Sequence, residues 1–307
     1  PQSYIACMVA PRARSILELN PNLNEIIIYD EDKTHKSVLG KLRLIRQLRS
    51  KKFDTVFILH RSFTRTVIAF LSGIRVRIGY RIKKKGALLT NAVRPPKENM
   101  HKVDWFLNLA KEAGIDVDEA EYEFFISDHD RRAVEDLLAQ ENISKKDRLV
   151  VINPGGNWDP KRWPKENFAK LADALIERLS VRVVISGSEK DYDLAKGITG
   201  SMKNKAGILC GKTSLKELGA LLEKADLVVS GDSGPMHIAS SMNTNVISLF
   251  GPTSPSITGP HGKGTHTIIW EDVGCRVPCY DSSCRDNRCM KAITPEKVFK
   301  KAEEMLA

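Results

Sequence analysis

Long apolar runs, cysteines and aromatic residues are all scarce in this 307-residue sequence. No uninterrupted apolar stretch approaches the ~20 residues that span a bilayer, and we recognise no secretory signal peptide, so a cytoplasmic location is expected. Cysteine occurs six times, and without a secretion signal we interpret the isolated Cys7 and Cys210 as ordinary buried thiols. Aromatic residues make up 7% of the chain, and their scarcity within its basic stretch argues against a nucleic-acid partner.

Positive charge is abundant and unevenly placed. The net charge is +10, yet residues 41–102 hold 17 Lys and Arg against 2 Asp and Glu, whereas residues 103–148 hold 6 against 13. A local excess of this size requires an acidic partner or a solvated face. The candidate partners are nucleic acid, anionic lipid and a phosphorylated substrate, and a basic surface that serves only solubility is the alternative.

Strand-like and helical patterns alternate along the chain. Short apolar runs are separated by segments with helical periodicity, which predicts parallel sheets covered on both faces, the α/β class. The predicted strands are 4–9, 26–29, 55–59, 149–153, 181–186, 227–229 and 246–250. The chain is long enough for two domains, and the polar stretch 141–147 before a fresh buried strand places the boundary between domains 1–147 and 148–307. Residues 295–306 are predicted to form a C-terminal helix with Thr294 as N-cap and Pro295 at its first position, and we expect this helix to pack back across the first domain.

One turn in the second domain has the features of an anion site. A buried strand breaks at Gly231, Asp232, Ser233 and Gly234, and a helix then begins. Free N–H groups and the positive end of a helix converge at such a turn, which favours a diphosphate. His237 lies within the same helix, and the loop Gly251–Thr253 ends the next strand, so both loops are expected at the carboxyl edge of the sheet.

Two further loops predict contacts to the same ligand. Residues 153–164 carry two glycines followed by Lys161 and Arg162, which we interpret as a second phosphate half-site. Glu189, just beyond the strand 181–186, is placed to accept hydrogen bonds from ribose hydroxyls. The alternatives are a loop that only starts a helix, with solvated cations, and a carboxylate that only interacts with a helix dipole.

An ordered set of motifs is similar to the lipopolysaccharide heptosyltransferases, glycosyltransferase family 9, with the heptosyltransferase II group nearest. In the second domain the set comprises NPGG and KRWP (153–164), SGSE (186–189), LCGKTSL (209–215), SGDSGPMHIA (230–239) and LFGPTSP (249–255). In the first domain HRS (60–62), RIGY (77–80) and HKVD (101–104) also match. The ordered set is specific, whereas no single motif is.

The resemblance implies a GT-B fold, in which two Rossmann-like domains face each other across a cleft. It implies that Lys161 pairs with the donor diphosphate, that Glu189 binds the ribose, and that Asp232, Ser233, Gly234 and His237 contact phosphate and sugar. The implied reaction is inverting transfer of heptose from ADP-heptose to the lipopolysaccharide inner core, with no cofactor and no obligatory metal. The implied partners are this donor, a phosphorylated core acceptor and an anionic membrane surface at the inner face of the inner membrane, with the chain a monomer.

One expected element has no counterpart in the sequence. Members of the family begin with a strand and a Gly-Asp loop whose Asp is the general base, and nothing before Tyr4 matches it. Pro1 aligns with the proline that opens the family's second strand, so we expect the first βα unit to be absent and name no base. Asp30 and Asp54 lie near strand ends, but neither sits in a matching loop.

Several basic residues of the first domain are candidates for the acceptor side. Arg61 and Arg65 lie four apart and so on one face of a helix, and we expect them to bind acceptor phosphates. Arg81 belongs to a basic loop. His101 recurs at the matching family position, although a capping or packing role is equally consistent with the sequence.

Four C-terminal cysteines form a separate cluster: Cys275, Cys279, Cys284 and Cys289. Four thiols within 15 residues suit a structural zinc, but their spacing departs from the usual paired arrangement. Two other functions stay open for the whole chain. One is a sugar-nucleotide epimerase with the same diphosphate site, and the other is a catalytically incomplete module that binds a nucleotide sugar.

Overall fold

The computed structural model describes residues 3–96, 100–118 and 120–307. Pro1, on which the alignment of the first strand depends, lies outside these ranges. The chain divides into two compact units, residues 1–120 and 121–307. Each unit is an α/β structure, as the alternating pattern predicts.

The first unit contains short parallel strands and four helices within the described residues. They are β1 (Ala6–Val9), α1 (Arg14–Leu17), β2 (Glu25–Ile28), α2 (Val38–Ser50), β3 (Thr55–Ile58), α3 (Phe63–Leu71), β4 (Val76–Tyr80), β5 (Asn91–Val93) and α4 (Lys102–Lys111). The strands form two separate parallel sheets, β1-β2 and β3-β4-β5. The predicted strands 4–9, 26–29 and 55–59 are thus confirmed, with ends that differ by one or two residues.

Helices α2 and α3 pack against each other over the first unit. Leu44 and Leu48 of α2 and Ile68 of α3 share a buried cluster with Ile27 of β2. The Arg49 guanidinium at the end of α2 donates to the Leu71 carbonyl at the end of α3 at 2.9 Å. The two helices therefore run in the same direction.

The second unit, as far as the structure describes it, has more strands and more helices than the first. They are α5 (Asp128–Gln140), β6 (Leu149–Asn153), α6 (Lys165–Leu179), β7 (Arg182–Ile185), α7 (Tyr192–Thr199), β8 (Gly207–Ile208), α8 (Leu215–Lys224), β9 (Leu227–Gly231), α9 (Gly234–Ser241), β10 (Val246–Phe250), α10 (Pro255–Thr258), β11 (His266–Trp270), α11 (Arg288–Lys291) and α12 (Pro295–Leu306).

Its six strands form one parallel sheet in the order β11-β10-β9-β6-β7-β8. The central strands β6 and β10 are buried along their whole length, because helices cover both faces and continuous apolar runs fit such strands. Val150 and Ile152 of β6 belong to the core cluster that includes α6 and α12. Leu149 and Val151 belong to the opposite cluster, which includes α5 and α8.

The boundary between the units lies before Glu121, earlier than the predicted 147/148. The reason is that the segment from 121 onward packs on the second unit. Lys216 of α8 donates to the Phe125 carbonyl at 2.6 Å, and Arg131 of α5 makes two hydrogen bonds to Glu223, at 2.8 and 3.0 Å. Helix α5 therefore belongs to the second unit, which the polar stretch 141–147 does not reveal.

The C-terminal helix agrees with its predicted start. Thr294 caps α12 by accepting a hydrogen bond from the Lys297 N–H at 3.3 Å, and Pro295 occupies the first turn. Val298 and Phe299 are fully buried among residues of the second unit. A contact of this helix with the first unit stays a prediction. Among the described residues, none of the helices has the length and apolarity to span a bilayer.

Substitutions at two helical glycines test how Phe124, near the start of the second unit, packs against α8. A Cβ on Gly219 of α8 would lie 2.5 Å from the buried Phe124 ring, whereas one on Gly197 of α7 would be no closer than 3.5 Å to any neighbour. We expect Gly219→Ala to destabilise the protein by about 1–3 kcal/mol through overpacking. Gly197→Ala should stabilise it by about 0.5–1 kcal/mol, since alanine is the better helix former.

Urea denaturation of both variants measures this difference. Equal effects of the two substitutions would contradict the placement of Phe124 beneath α8.

Candidate donor-binding site

The strand order of the second unit brings the predicted donor residues to one edge of the sheet. Strands β9, β6 and β7 are adjacent and parallel, so the loops after them leave from neighbouring carboxyl ends. Asp232 follows β9, Lys161 lies in the loop after β6, and Glu189 follows β7. Parallel strands are ~4.8 Å apart, so the three loops lie side by side.

Lys161 and Asp232 form an ion pair at this edge. The Lys161 ammonium donates to the Asp232 carboxylate at 2.7 Å, and their side chains are 16% and 8% exposed. The ammonium also lies 3.4 Å from the Asp232 carbonyl oxygen and 5.0 Å from the centre of the Trp158 ring. These contacts hold one cation in a fixed place beside the turn 231–234.

The start of α9 adds donors next to this cation. Ser233 is the N-cap residue, but its side chain does not cap the helix; its hydroxyl lies 3.0 Å from the Ser230 hydroxyl instead. A Cβ on Gly234 would meet no atom within 4 Å, so open space adjoins its backbone. A helix N-terminus carries partial positive charge, and such a terminus beside a lysine is an arrangement that suits an anion. Anion binding by this turn stays a prediction.

His237 lies in the first turn of α9 with aromatic neighbours that the sequence analysis missed. The Tyr122 ring lies edge-on to His237, with 6.3 Å between ring centres, and edge-on to His261 at 5.4 Å. Burial raises the pKa of the Tyr122 phenol. Tyr122 sits 115 residues before His237 in the sequence, and no local pattern connects them.

Glu189 and Asp191, in the loop after β7, differ in their surroundings. The Asp191 carboxylate accepts from the Ser188 N–H at 2.9 Å and from its hydroxyl at 2.6 Å, so it fixes the loop. Glu189 is exposed in the first turn beyond β7 and can accept hydrogen bonds from a ligand. The choice of Glu189 over Asp191 as the ribose contact stays a prediction.

Arg162 and Trp163 stabilise the loop after β6. The Arg162 guanidinium donates to the Gly156 carbonyl at 3.0 Å and to Asp159 at 2.9 Å. The buried Trp163 donates its indole N–H to the Ile293 carbonyl at 2.9 Å. Of the two adjacent cations, Lys161 contacts Asp232 and Arg162 holds the loop after β6 together.

The loop after β10 contributes a buried hydroxyl and is held by the cysteine-bearing segment. Thr253 is buried, and its Oγ1 has no hydrogen-bond partner. The Cys279 N–H donates to the Pro252 carbonyl at 2.7 Å, and the Asn287 amide donates to the Arg162 carbonyl at 3.1 Å. The segment 271–293 therefore braces two of the loops that form the site.

The four C-terminal cysteines differ in burial. In the part of the chain that the structure describes, no group of three or more potential metal ligands is gathered. Cys275 is exposed and Cys289 is buried against Gly251, while Cys279 and Cys284 are intermediate. Through the Cys279 N–H and the Cys289 side chain, two of the four cysteines lie against the loop after β10.

In the first unit, Arg65 forms an ion pair, whereas Arg61 is exposed. Arg65 donates to the Glu31 carboxylate at 3.0 Å and lies over the Tyr29 ring at 5.5 Å. Burial favours the neutral acid, but the hydrogen bond and charge of Arg65 outweigh it and lower the pKa of Glu31. Arg61 lies over the Trp105 ring at 5.4 Å.

Arg81 and His101 take different positions in the same unit. Arg81 is exposed just after β4. The His101 ring nitrogen accepts from the Val103 N–H at 3.3 Å and caps α4, which is the capping alternative for this residue. The assignment of all four basic residues to the acceptor stays a prediction.

Fold and geometry define an α/β protein in which a lysine–aspartate ion pair lies beside a helix start at the carboxyl edge of the second sheet. The model of glycosyltransferase family 9 (heptosyltransferase) matches residues 41–289. The chain therefore belongs to this family.

Curated relatives match over most or all of the chain. Lipopolysaccharide heptosyltransferase 2 of Salmonella typhimurium is 26% identical, covering 100% of this chain and 91% of its own length. Lipopolysaccharide core heptosyltransferase OpsX of Haemophilus influenzae is 29% identical, covering 89% and 77% respectively. The similarity to heptosyltransferases expected from the motifs is confirmed.

Solved structures agree with the fold. The E. coli ADP-heptose lps heptosyltransferase II aligns with a TM-score of 0.80 and 25% identity, covering 100% of this chain and 90% of that one. A glycosyl transferase family 9 protein from Veillonella parvula aligns with a TM-score of 0.87 and 24% identity, covering 99% and 88%. The predicted GT-B class is confirmed.

Removing the lysine of the ion pair should destabilise the fold. Lys161→Met leaves Asp232 buried and charged without its partner, which we expect to cost about 3 kcal/mol of unfolding free energy. The double variant Lys161→Met/Asp232→Asn removes that charge and should recover most of the loss. Urea denaturation at pH 7 measures both, and equal stability of the two variants would show that the pair is not coupled.

The thiols should differ strongly in reactivity. Burial and the charge of Asp191 raise the pKa of Cys210 to about 11, so roughly one molecule in 10³ carries the Cys210 thiolate at pH 8. We expect Cys275, which is exposed, to be alkylated by iodoacetamide about 100 times faster than Cys210. The Cys210 rate should rise about tenfold per pH unit up to its pKa.

Peptide mass spectrometry of the native and urea-unfolded protein provides the comparison. Fast native alkylation of Cys210 would contradict its buried position, and unfolding should abolish the difference.

Proposed function

We propose that this protein transfers heptose from ADP-heptose to a hydroxyl group of the lipopolysaccharide inner core, with inversion at the anomeric carbon. The observation that carries the proposal is the Lys161–Asp232 pair beside the start of α9 in a chain that belongs to glycosyltransferase family 9. Such an arrangement suits a leaving group that gains negative charge as it departs.

The donor half of the reaction requires charge stabilisation. When the acceptor oxygen attacks the anomeric carbon from the opposite face, the bond to ADP breaks and its electron pair passes to the diphosphate. We assign the neutralisation of this charge to the Lys161 ammonium and to the N–H groups around Gly234. These groups replace a metal ion in our proposal, which therefore includes no obligatory metal and no cofactor.

We assign the remaining donor contacts to residues that lie at the same edge of the sheet as Lys161. Glu189 is proposed to accept hydrogen bonds from the ribose, and Ser233 and His237 to contact phosphate and sugar. Tyr122 and His261 flank His237 and are proposed to limit how its ring can turn. We assign no residue as the general base that takes the acceptor proton.

The acceptor half is proposed for the first unit. Arg61 and Arg81 are exposed, and with Arg65 and His101 they would bind acceptor phosphates. The charge of residues 41–102 supports a phosphorylated acceptor and an anionic membrane surface. We propose that the protein acts in the cytoplasm as a monomer at the inner face of the inner membrane, without a nucleic-acid partner.

Incubation of the purified protein with ADP-heptose and a delipidated, phosphorylated core oligosaccharide tests the reaction. Mass spectrometry should show the acceptor gaining one heptose and ADP being released in equal amount. Isomerised donor without transfer would support the epimerase alternative instead. Donor binding without turnover would support a catalytically incomplete module.

A substitution at Gly234 tests the donor contact without disturbing the fold. Gly234→Ala meets no protein atom within 4 Å, so stability should stay within ~0.5 kcal/mol of the parent. A methyl group at the helix start would obstruct a diphosphate, and ADP affinity should fall by about tenfold, or ~1.4 kcal/mol. Calorimetric titration measures the affinity, with Gly197→Ala as the matched glycine control, and unchanged ADP binding by Gly234→Ala would place the diphosphate elsewhere.

Arginine substitutions in the first unit test the acceptor contact. Arg61→Ala/Arg65→Ala should raise the apparent acceptor KM about tenfold and leave donor affinity unchanged, because two charge-assisted contacts are lost. Lys52→Ala/Arg75→Ala removes the same charge from exposed positions that precede β3 and β4, at the other end of the strands, and serves as the control. A selective loss of donor binding in the first variant would overturn the assignment.

A further inference from the structure

The first turns of α2 expose apolar side chains that the fold does not use. Val38, Leu39 and Leu42 are 74%, 68% and 51% exposed, whereas Leu44 and Leu48 on the opposite side of the helix are buried. At ~100° per residue the three exposed residues lie together on the solvent-facing side. Exposed apolar residues that cluster in this way indicate an interaction surface.

The start of α2 is held in place without these residues. Ser37 caps the helix by accepting from the Gly40 N–H at 3.0 Å, and the Lys41 ammonium donates to the Lys36 carbonyl at 2.8 Å. A Cβ on Gly40 would clash with the Thr34 carbonyl, so the preceding turn packs tightly on the helix. The apolar residues therefore project from a helix start whose backbone is held in place.

Cations surround the exposed apolar residues. Helix α2 contains Lys41, Arg43, Arg46 and Arg49 and no acidic residue. Arg49 lies in the last turn, where a cation favours the helix dipole, but Lys41, Arg43 and Arg46 precede that turn and gain little from it. The helix dipole therefore does not account for these three cations.

The acidic residues of the turn before α2 already have hydrogen-bond partners or cations nearby. Glu31 binds Arg65 at 3.0 Å. Asp30 accepts from the backbone N–H groups of Asp32 and Lys33, at 3.3 and 3.1 Å. Asp32 is exposed, and Lys33 and Lys36 offset its charge in the same turn.

Helix α3 extends the same surface. Arg65 in its first turns binds Glu31, which precedes α2, so both helices begin at one end of the unit. Leu59, directly after β3, and Phe63, at the start of α3, are about half exposed. Apolar and basic residues of two helix starts thus occupy the same end.

We propose that this surface, formed by Val38, Leu39, Leu42, Arg43 and Arg46, inserts into an anionic phospholipid bilayer. Its apolar residues would enter the headgroup region and its arginines would contact lipid phosphates, as in interfacial amphipathic helices. Charge complementarity favours an anionic bilayer over a neutral surface. The inference deepens the proposed location at a membrane and does not depend on the transfer reaction.

Vesicle sedimentation with the full chain tests the proposal. Vesicles of phosphatidylglycerol and phosphatidylethanolamine should bind the protein at least tenfold more strongly than phosphatidylcholine vesicles. Leu39→Gln/Leu42→Gln should reduce binding to the anionic vesicles about tenfold, and Arg43→Gln/Arg46→Gln should do the same and weaken its dependence on salt. Ile16→Gln/Leu19→Gln replaces two other exposed apolar residues with the same spacing and should leave binding unchanged.

Three outcomes would overturn the proposal. They are no binding of the parent protein to anionic vesicles, full binding of Leu39→Gln/Leu42→Gln, and binding that requires the acceptor glycolipid in the vesicle. Thermal unfolding of each variant shows that the fold is retained.

Activity on the delipidated acceptor separates this inference from the proposed function. Leu39→Gln/Leu42→Gln should transfer heptose to that soluble acceptor at the parental rate. An inactive parent that still binds anionic vesicles would refute the function and leave the membrane surface intact.

Discussion

The ion pair between Lys161 and Asp232 is the interaction on which the candidate site depends. It joins the loop after β6 to the turn after β9, and both partners are largely withdrawn from water. A buried carboxylate is unfavourable unless a cation compensates it, so Asp232 fixes the position of the ammonium. In the proposed reaction the lysine is thereby in place before the donor binds, and a preorganised charge needs no rearrangement when the leaving group gains negative charge.

The sheet makes this pair possible. Because β9, β6 and β7 are neighbours and parallel, three loops that are far apart in sequence leave from adjacent points. The segment 271–293 then holds two of the loops through Cys279 and Asn287. Cys279 and Cys289 of this segment lie against the loop after β10.

Much of this arrangement follows from local sequence patterns. Continuous apolar runs such as Leu149–Asn153 predict buried parallel strands, and Thr294 with Pro295 predicts the start of α12, because these signals act over a few residues. The boundary was misplaced because α5 has an ordinary amphipathic pattern, and only its contacts with α8 show which unit it joins. Tyr122 was missed for the same reason: its neighbours His237 and His261 are distant in sequence, and only the folded chain brings them together.

A crystal structure with ADP bound tests the central claim most directly. The account predicts that diphosphate oxygens lie within hydrogen-bond distance of the Lys161 ammonium and of the backbone N–H of Gly234, with Asp232 still paired to the lysine. A diphosphate bound away from the carboxyl ends of β6 and β9, with Lys161 in contact only with Asp232, would contradict it.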